Sequence, residues 1–228
     1  MIELKDLTKI YRTDTIETTA LNNINLMVPE GSFIAIKGPS GCGKTTLLNI
    51  LGLMDRPNKG QVILMGKNTA SISDRELSRL RRQSIGFLFQ KFNLIASLTV
   101  FENVELPLLY QKLPAATRKS KVDAMLMQLG LEARAGHFPH QLSGGQQQRV
   151  GLARCVINDP RMILADEPTG NLDSKNGDEV MRLLSELHHE GRTIVMVTHD
   201  DRYAAYAERV IEMSDGLLRN GMGCFAAI

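Results

Sequence analysis

Residues 32–46 read Ser-Phe-Ile-Ala-Ile-Lys-Gly-Pro-Ser-Gly-Cys-Gly-Lys-Thr-Thr, an apolar run that passes directly into a glycine-rich loop. The run Ser32–Lys37 is typical of a buried strand, and Thr45–Leu53 has the apolar content of a helix. The loop matches the pattern Gly-x-x-x-x-Gly-Lys-Thr at residues 38–45. Strand, loop and helix in this order are the context that a phosphate-binding loop requires, which argues against a chance glycine turn. The stretch therefore predicts a nucleotide-binding α/β fold.

The residue types of this loop are those that phosphate binding requires. Its glycines let main-chain N–H groups point inward around phosphates, and the following helix N-terminus adds a favourable potential. Lys44 is expected to reach the β- and γ-phosphates, and Thr45 is expected to bind Mg²⁺. The loop residues expected to hold the nucleotide are Gly38, Pro39, Ser40, Gly41, Cys42, Gly43, Lys44, Thr45 and Thr46.

Beyond this loop, strand-like and helical patterns divide the chain. Strand-like runs lie at residues 2–5, 24–28, 61–65, 161–166 and 193–198. The pattern is mostly helical from about Arg75 to Ile157, with Ser73 as a helix cap. A strand–helix–strand order over residues 161–198 predicts a parallel sheet covered by helices. Residues 209–216 predict a terminal hairpin, and the last residues, Asn220–Ile228, are expected to be loosely held.

Composition excludes several classes of function. A net charge of +2 over 228 residues, with no basic run and few aromatic residues, gives no reason to expect nucleic-acid binding. No apolar stretch approaches the ~20 residues that span a bilayer, so a membrane role requires another polypeptide. The N-terminus is acidic and lacks the apolar core of a signal peptide. The odd number of widely spaced cysteines predicts reduced thiols in a cytosolic protein; they are Cys42, Cys155 and Cys224.

Two carboxylates follow the apolar run Arg161–Ala165. Asp166 is expected to hold the Mg²⁺ shell, and Glu167 to orient or deprotonate the attacking water, because positioning and charge stabilisation do most of the work in phosphoryl transfer. Taken alone, such a pair is more often a solvated strand end. The phosphate loop earlier in the chain makes the catalytic interpretation the stronger one.

Residues 142–146, Leu-Ser-Gly-Gly-Gln, complete a very specific set. Together with the phosphate loop and Asp166-Glu167, they resemble the signature of ATP-binding-cassette (ABC) ATPases, and the resemblance covers essentially the whole chain. It implies that Ser143, Gly144, Gly145 and Gln146 cap ATP held by a second copy of the chain. The helix Gln147–Ile157 would then direct its N-terminus at a γ-phosphate. A simple N-cap role for Ser143 is compatible with this interpretation.

The same resemblance assigns four further residues. Gln90, after the run Ile85–Phe89, is implied to contact Mg²⁺ or water and to sense the nucleotide. His199 is implied to touch the γ-phosphate, and Asp173 to lie in a loop that crosses the dimer. Tyr11 occupies the place of an aromatic ring that stacks on adenine. Taken alone, a residue such as Gln90 is more often at the surface, and residues such as His199 and Tyr11 are more often structural.

The family resemblance also implies an architecture. It predicts an α/β fold with a P-loop NTPase core and a mainly parallel sheet, an N-terminal antiparallel β subdomain and an inserted helical subdomain. The whole chain, residues 1–228, is expected to be one nucleotide-binding domain. Residues 1–90 and 158–228 form the ATP-binding core with the β subdomain, and residues 91–157 form the helical signature subdomain.

Two short stretches resemble the lipoprotein-release and macrolide-efflux branch of the family: Gly-Asn-Leu-Asp at 170–173 and Glu-Asn-Val-Glu-Leu-Pro at 102–107. The resemblance implies a homodimeric ATPase that closes around two Mg·ATP and moves membrane subunits at the cytoplasmic face of the inner membrane, and the branch favours export as the direction of transport. The segment Asn93–Leu108 is expected to meet the permease, although about half of it should serve internal packing.

Two alternatives stay open. One is a soluble, non-transport ABC ATPase of DNA repair, chromosome handling or translation. Its members carry coiled-coil insertions or a second cassette, and this sequence has neither. The other is a small P-loop kinase, which leaves residues 143–146, Gln90 and His199 without an explanation.

Overall fold

The computed structural model of the chain describes residues 1–13 and 15–219. The predicted loose end Asn220–Ile228, with Cys224, lies outside the described residues. The strands are β1 (Ile2–Arg12), β2 (Glu17–Val28), β3 (Phe33–Lys37), β4 (Lys59–Leu64), β5 (Lys67–Asn68), β6 (Ile85–Phe89), β7 (Met162–Asp166), β8 (Thr193–Thr198), β9 (Arg209–Ser214) and β10 (Leu217–Arg219). The α-helices are α1 (Lys44–Leu51), α2 (Asp74–Ser84), α3 (Val100–Leu109), α4 (Ala115–Gln128), α5 (Gly144–Val156), α6 (Ser174–His189) and α7 (Asp201–Ala204).

The larger sheet has the strand order β10-β9-β3-β8-β7-β6. Strands β9, β3, β8, β7 and β6 run parallel, and β10 pairs antiparallel with β9 through the predicted terminal hairpin. The predicted parallel sheet is therefore confirmed. Because parallel strands end at the same edge, the loops after β3, β6, β7 and β8 meet there, which is where α/β folds bind ligands.

The smaller sheet is antiparallel, with the order β2-β1-β4-β5, which confirms the predicted N-terminal antiparallel part of the fold. Its first two strands are much longer than the sequence predicted. The pairing of β1 with β2 shifts register between Leu4 and Leu7 and again near Lys9. Each shift breaks the two-residue alternation of apolar and polar side chains, so the pattern after Lys5 no longer reads as a strand.

The core lies on both faces of the parallel sheet. Phe33 and Ala35 of β3 pack with the cluster formed by α3 to α6. Ile34 and Ile36 pack on the other face, with α1 and the antiparallel sheet. Since successive strand residues point to opposite faces, a strand covered on both sides needs a continuous apolar run, which is what residues 33–36 supply.

Two helices show how well capping residues in the sequence predict where a helix begins. Ser73 caps α2 as expected, and its hydroxyl accepts a hydrogen bond from the N–H of Glu76 at 3.3 Å. Helix α5, in contrast, begins at Gly144 and not at the predicted Gln147. Glycine is a poor helix former, which hid the start, but the reciprocal capping of Ser143 and Gln146 offsets that cost. The signature residues therefore form the first turn of α5.

Candidate functional site

An open cleft of about 740 Å³ lies at the carboxyl edge of β3 and β7. A cleft of this size suits a small-molecule ligand. It brings together predicted residues from four separate parts of the chain: Tyr11, the phosphate loop, Gln90 and the pair Asp166-Glu167. Its lining residues are Tyr11, Thr18, Thr19, Ala20, Ser40, Gly41, Cys42, Gly43, Lys44, Thr45, Thr46, Gln90, Asp166, Glu167, Asp215 and Gly216.

Two features fix the conformation of the phosphate loop: a glycine at the start of α1, and hydrogen bonds between the loop and the side chain of Lys44. Gly43, the N-cap of α1, has φ of 107°, and a Cβ there would lie 2.5 Å from the carbonyl oxygen of Ala20. Only glycine suits this position. The buried Nζ of Lys44 donates to the carbonyls of Gly38 and Pro39 at 2.7 and 2.9 Å. The loop thus keeps the ammonium at the base of the cleft.

Thr45 and Asp166 converge from α1 and β7. The Oγ1 of Thr45 lies 3.2 and 3.4 Å from the two carboxylate oxygens of Asp166. Burial raises the pKa of Asp166 above its ordinary value, and the neighbouring Glu167 carboxylate adds to this effect. A hydroxyl and a carboxylate are oxygen ligands of the kind that Mg²⁺ prefers, so this pair fits such an ion.

The described part of the chain holds no group of three or more His, Cys, Asp or Glu side chains that could bind a metal. An ion between Thr45 and Asp166 would take its remaining oxygen ligands from other donors, such as the Gln90 side chain in the same cleft, water or a phosphate, since Mg²⁺ is commonly bound by only one or two carboxylates.

Glu167 leaves β7 in a strained conformation. Its φ is 44°, in the left-handed region that residues other than glycine seldom adopt, and its N–H donates to the carbonyl of Val197 at 3.0 Å. Its Oε1 lies 3.3 Å from Nδ1 of His199, which follows β8. His199 does not line the cleft itself but contacts it through this carboxylate.

Gln90 lines the cleft from the end of β6. Its side chain lies against Gly170, where a Cβ would come within 2.7 Å of its Nε2. Its carbonyl accepts a hydrogen bond from Nδ2 of Asn171 at 2.9 Å. The residue is thus held by the loop that follows Glu167.

Tyr11 lies at the outer end of the cleft, where its side chain is 43% exposed. Its hydroxyl donates to Asp55 at 3.0 Å, and the Nζ of Lys9 lies 5.0 Å from the ring centre. Burial acts to raise the pKa of Asp55, but hydrogen bonds from Lys9 and Tyr11 outweigh it and hold that pKa below the usual value. These contacts fix the ring while leaving much of it open to solvent.

The signature residues and Asp173 do not line this cleft. The hydroxyl of Ser143 accepts from the N–H of Gln146 at 3.3 Å, and Oε1 of Gln146 accepts from the N–H of Ser143 at 3.0 Å. The side chain of Gln146 is therefore engaged in capping α5. Asp173 caps α6, accepting from the N–H of Asn176 at 2.9 Å, and this hydrogen bond lowers its pKa.

Sequence reasoning missed part of the lining. Residues 18–20 of β2 and the turn residues Asp215 and Gly216 border the phosphate loop. The N–H of Gly216 donates to the carbonyl of Cys42 at 3.0 Å and so ties the turn to the loop. The sequence predicts an Asp-Gly turn at this position. No local pattern, however, indicates that this turn contacts the phosphate loop, which lies more than 170 residues earlier in the chain.

None of the helices that the structure describes, within residues 1–13 and 15–219, combines the length and apolar character needed to cross a membrane.

Comparison with known proteins gives a consistent result. Residues 21–170 match the model of the family described as "ABC transporter". An uncharacterized ABC transporter ATP-binding protein of Methanocaldococcus jannaschii, MJ1508, is 51% identical over 216 residues, which are 95% of this chain and 96% of the relative. The macrolide export ATP-binding/permease protein MacB of Hyphomonas neptunium is 48% identical over 98% of this chain. This chain spans only 35% of that relative's length.

A solved structure agrees with the sequence comparison. It is the dimeric, post-hydrolysis state of the ATP-binding cassette MJ0796 bound to ADP and Pi. It is 46% identical to this chain, with a TM-score of 0.90, and the match covers 96% of this chain and 97% of that one.

Proposed function

This chain belongs to the ABC transporter family and is an ATP-hydrolysing domain of it, and on that premise we propose that two copies close around two Mg·ATP and thereby move membrane subunits. The observation that carries the proposal is the separation of two half-sites. The phosphate loop, Asp166 and Glu167 share one cleft, whereas Ser143 and Asp173 do not line it. A second copy of the chain, facing the cleft with its own signature turn, supplies them.

The triphosphate is bound by the phosphate loop, residues 38–46. Main-chain N–H groups and the N-terminus of α1 provide a positive potential for it. Lys44 exchanges its two carbonyl acceptors for β- and γ-phosphate oxygens, a change that is favourable because hydrogen bonds between charged partners are stronger.

Thr45, Asp166 and Gln90 hold the Mg²⁺ ion in this proposal. Thr45 and Asp166 are already in contact, and Gln90 borders the same cleft. Bound Mg²⁺ supplies neutralisation of the charge that develops on the phosphate oxygens. The protein contributes the fixed positions of the three side chains.

Glu167 orients and polarises the attacking water, and His199 orients Glu167. The left-handed turn at Glu167 directs its carboxylate away from the strand and toward the cleft. Because His199 is within 3.3 Å of that carboxylate, it can fix the side chain and approach the γ-phosphate when the dimer closes.

The opposite side of each nucleotide is capped by the partner's copies of the signature turn and the loop at Asp173. The first N–H groups of an α-helix have no partner within the helix, so the first turn of α5 offers donors to an anion. Ser143, Gly144 and Gly145 bind through that turn. Gln146 contributes mainly by holding the turn in shape, since its side chain is occupied by the N–H of Ser143.

At the other end of the nucleotide, Tyr11 stacks on the adenine. Its ring is fixed by Asp55 and Lys9 and has an exposed face.

The membrane subunit contacts the segment Asn93–Leu108. Val100, Asn103, Val104 and Leu108 are buried, whereas residues 95–97 are exposed. The fully buried Asn103 donates to the carbonyls at 95, 98 and 99 and accepts from the N–H of Ile95. This side chain preforms the exposed loop, so a permease helix can dock on it without first ordering it.

The name of the MacB relative, which joins an ATP-binding part and a permease in one protein, supports export as the direction of transport. In this proposal the chain acts at the cytoplasmic face of the membrane through a permease. Residues 1–90 and 158–228 form its ATP-binding core, and residues 91–157 form the helical part that carries the signature.

The test is capture of the closed complex. The Glu167→Gln chain, which we expect to bind ATP without hydrolysing it, is added with ATP to detergent-solubilised membranes, and the co-purifying chains are identified. We expect a dimer of the chain with a permease that has few spans and a large extracytoplasmic domain. The same chain without ATP, and a Lys44→Ala, Glu167→Gln chain with ATP, serve as controls. Recovery of only soluble proteins or nucleic acid would favour the non-transport alternative, and a chain that stays monomeric with ATP would refute the sandwich.

A further inference from the structure

The chain after Gln90 makes an unusually tight turn. Phe92 has φ of 56° and Asn93 has φ of 49°, two consecutive residues in the left-handed region. Phenylalanine seldom adopts this conformation, and asparagine adopts it mainly as a single residue and not next to another. A turn of this kind persists only where neighbouring groups hold it.

The group that holds it comes from the signature helix. Arg154, near the end of α5, donates from Nη2 to the carbonyl of Phe92 at 2.8 Å and from Nη1 to the carbonyl of Asn93 at 2.7 Å. The planar guanidinium presents several donors in a rigid fork, so it can fix two successive carbonyls at once. A lysine ammonium at the end of a flexible stem cannot do this equally well.

The same turn is connected to the cleft at its other end. Asn171 donates to the carbonyl of Gln90, and the Gln90 side chain lies against Gly170. The main chain of residues 90–93 is thus held between α5 on one side and the loop after Glu167 on the other. The two Arg154 hydrogen bonds join α5 directly to this turn, so a shift of α5 relative to the parallel sheet pulls on the turn.

We infer that Arg154 is a positioning residue: through it, the placement of Gln90 in the chain's own cleft depends on the position of α5. The first turn of α5, in turn, contacts the nucleotide that the partner copy binds. Arg154 therefore connects the two half-sites of one chain, the cleft with Gln90 and the signature turn of α5, so that a movement of one is transmitted to the other. The inference rests on the proposed role of Gln90. In this inference Arg154 does not contact the nucleotide and acts only through Gln90.

Arg149 provides a matched control on the same helix. Its Nη1 pairs with Glu179 of α6 at 2.5 Å and makes no contact with the turn at residues 90–93 among the hydrogen bonds described. Replacing either arginine by lysine keeps the charge and perturbs α5. Only Arg154→Lys loosens the turn.

The first measurement is amide hydrogen exchange in the free chain, without nucleotide. We expect Arg154→Lys to speed exchange in a peptide covering residues 90–98 by about tenfold, because opening of the turn becomes easier, and Arg149→Lys to change it less than about twofold. Both variants are first checked for thermal unfolding midpoints close to that of the native chain. Equal exchange in all three chains overturns the inference.

The second measurement is a double-mutant cycle in ATP hydrolysis. We expect Arg154→Lys to lower kcat by about tenfold with little change in KM, and to lower it less than about twofold in a Gln90→Ala background. An equal loss in both backgrounds overturns the inference, because Arg154 then acts independently of Gln90. If Gln90→Ala alone leaves kcat unchanged, the proposed role of Gln90 fails and the inference fails with it, whatever the exchange data show. If Gln90→Ala lowers kcat but Arg154→Lys does not, only the inference fails.

Discussion

Oε1 of Glu167 lies 3.3 Å from Nδ1 of His199, and the two residues follow adjacent parallel strands, β7 and β8. The pair unites a carboxylate that is mostly buried with an imidazole that is mostly exposed. Its geometry resembles that of a base held by a second group that fixes its orientation. Glu167 also carries backbone strain, with φ of 44°, which the contact of its N–H with Val197 helps to maintain.

The first prediction concerns this pair. His199→Ala should lower kcat by about ten- to hundredfold, because Glu167 remains in place but loses the group that orients it. KM should change little, since the phosphate loop is untouched. Steady-state ATP hydrolysis and equilibrium nucleotide binding, measured on the same preparation, separate the two effects. A His199→Ala chain with a raised KM and an unchanged kcat would show that the imidazole binds substrate and does not position Glu167.

The second prediction concerns the ring of Tyr11. Tyr11→Ala should weaken ATP binding by about five- to hundredfold, the range expected for loss of one base–aromatic stack. Tyr11→Phe keeps the ring and removes only the hydrogen bond to Asp55, so its affinity should stay within about threefold of the native value. GTP binding should fall in parallel, because stacking does not depend on the identity of the base. Equal affinities for the native and Tyr11→Ala chains would mean that the ring is only a structural partner of Asp55.

The third prediction separates the two glycines of the signature turn. A Cβ at Gly145 would overlap the side-chain amide of Asn176, which Asp173 holds in place, whereas a Cβ at Gly144 would make an ordinary 3.6 Å contact with Leu172. Gly145→Ala should therefore lower the free energy of unfolding by about 1–3 kcal/mol through overpacking. Gly144→Ala should leave it unchanged or raise it by up to about 1 kcal/mol, because alanine favours helix more than glycine does.

Urea unfolding of the two variants beside the native chain measures this difference without reference to activity. Equal destabilisation by both substitutions would show that the close approach of α5 and the start of α6 is not tight in solution. It would also remove the steric reason for a glycine at residue 145.

How far the sequence predicted the fold depends on how local the signal was. The strand–loop–helix unit at residues 32–53 was predicted well because strand, loop and helix are adjacent and each has its own pattern. Strands β1 and β2 were predicted too short because register shifts near Leu7 and Lys9 break the alternation. The start of α5 was placed three residues late because its first turn contains two glycines, whose low helix propensity conceals a helix that capping stabilises.

The residues of the site likewise fall into those that a local motif predicts and those that only the fold reveals. Lys44, Thr45, Asp166 and Glu167 could be assigned from motifs, and the structure brings them into one cleft. The hydrogen bonds from Arg154 to the turn at residues 92–93 could not be predicted, since an arginine in a helix gives no indication of which distant carbonyls it contacts. The same holds for Asp215 and Gly216, which reach the phosphate loop only through the sheet topology.

The last prediction concerns Cys155, a thiol buried inside α5. Burial raises its pKa from the usual 9.0 to about 12, because the anionic thiolate is poorly solvated there. At pH 8 its thiolate fraction is then about a thousandfold smaller in the folded chain than in the unfolded one, and the thiolate is the reactive form. Iodoacetamide should therefore label the peptide containing Cys155 at least about a thousandfold more slowly before unfolding than in denaturant.

The pH dependence gives the sign of the effect. Since a raised pKa keeps the thiol neutral, labelling of folded Cys155 should continue to rise about tenfold per pH unit from pH 8 to 10, whereas the unfolded chain should approach a plateau above pH 9. Cys42 lines the cleft and is the internal comparison: its labelling should slow when ATP is added, and that of Cys155 should not. Fast labelling of Cys155 in the folded chain at pH 8 would show that α5 opens to solvent, and the linkage proposed through Arg154 on the same helix would then lack a rigid element to transmit it.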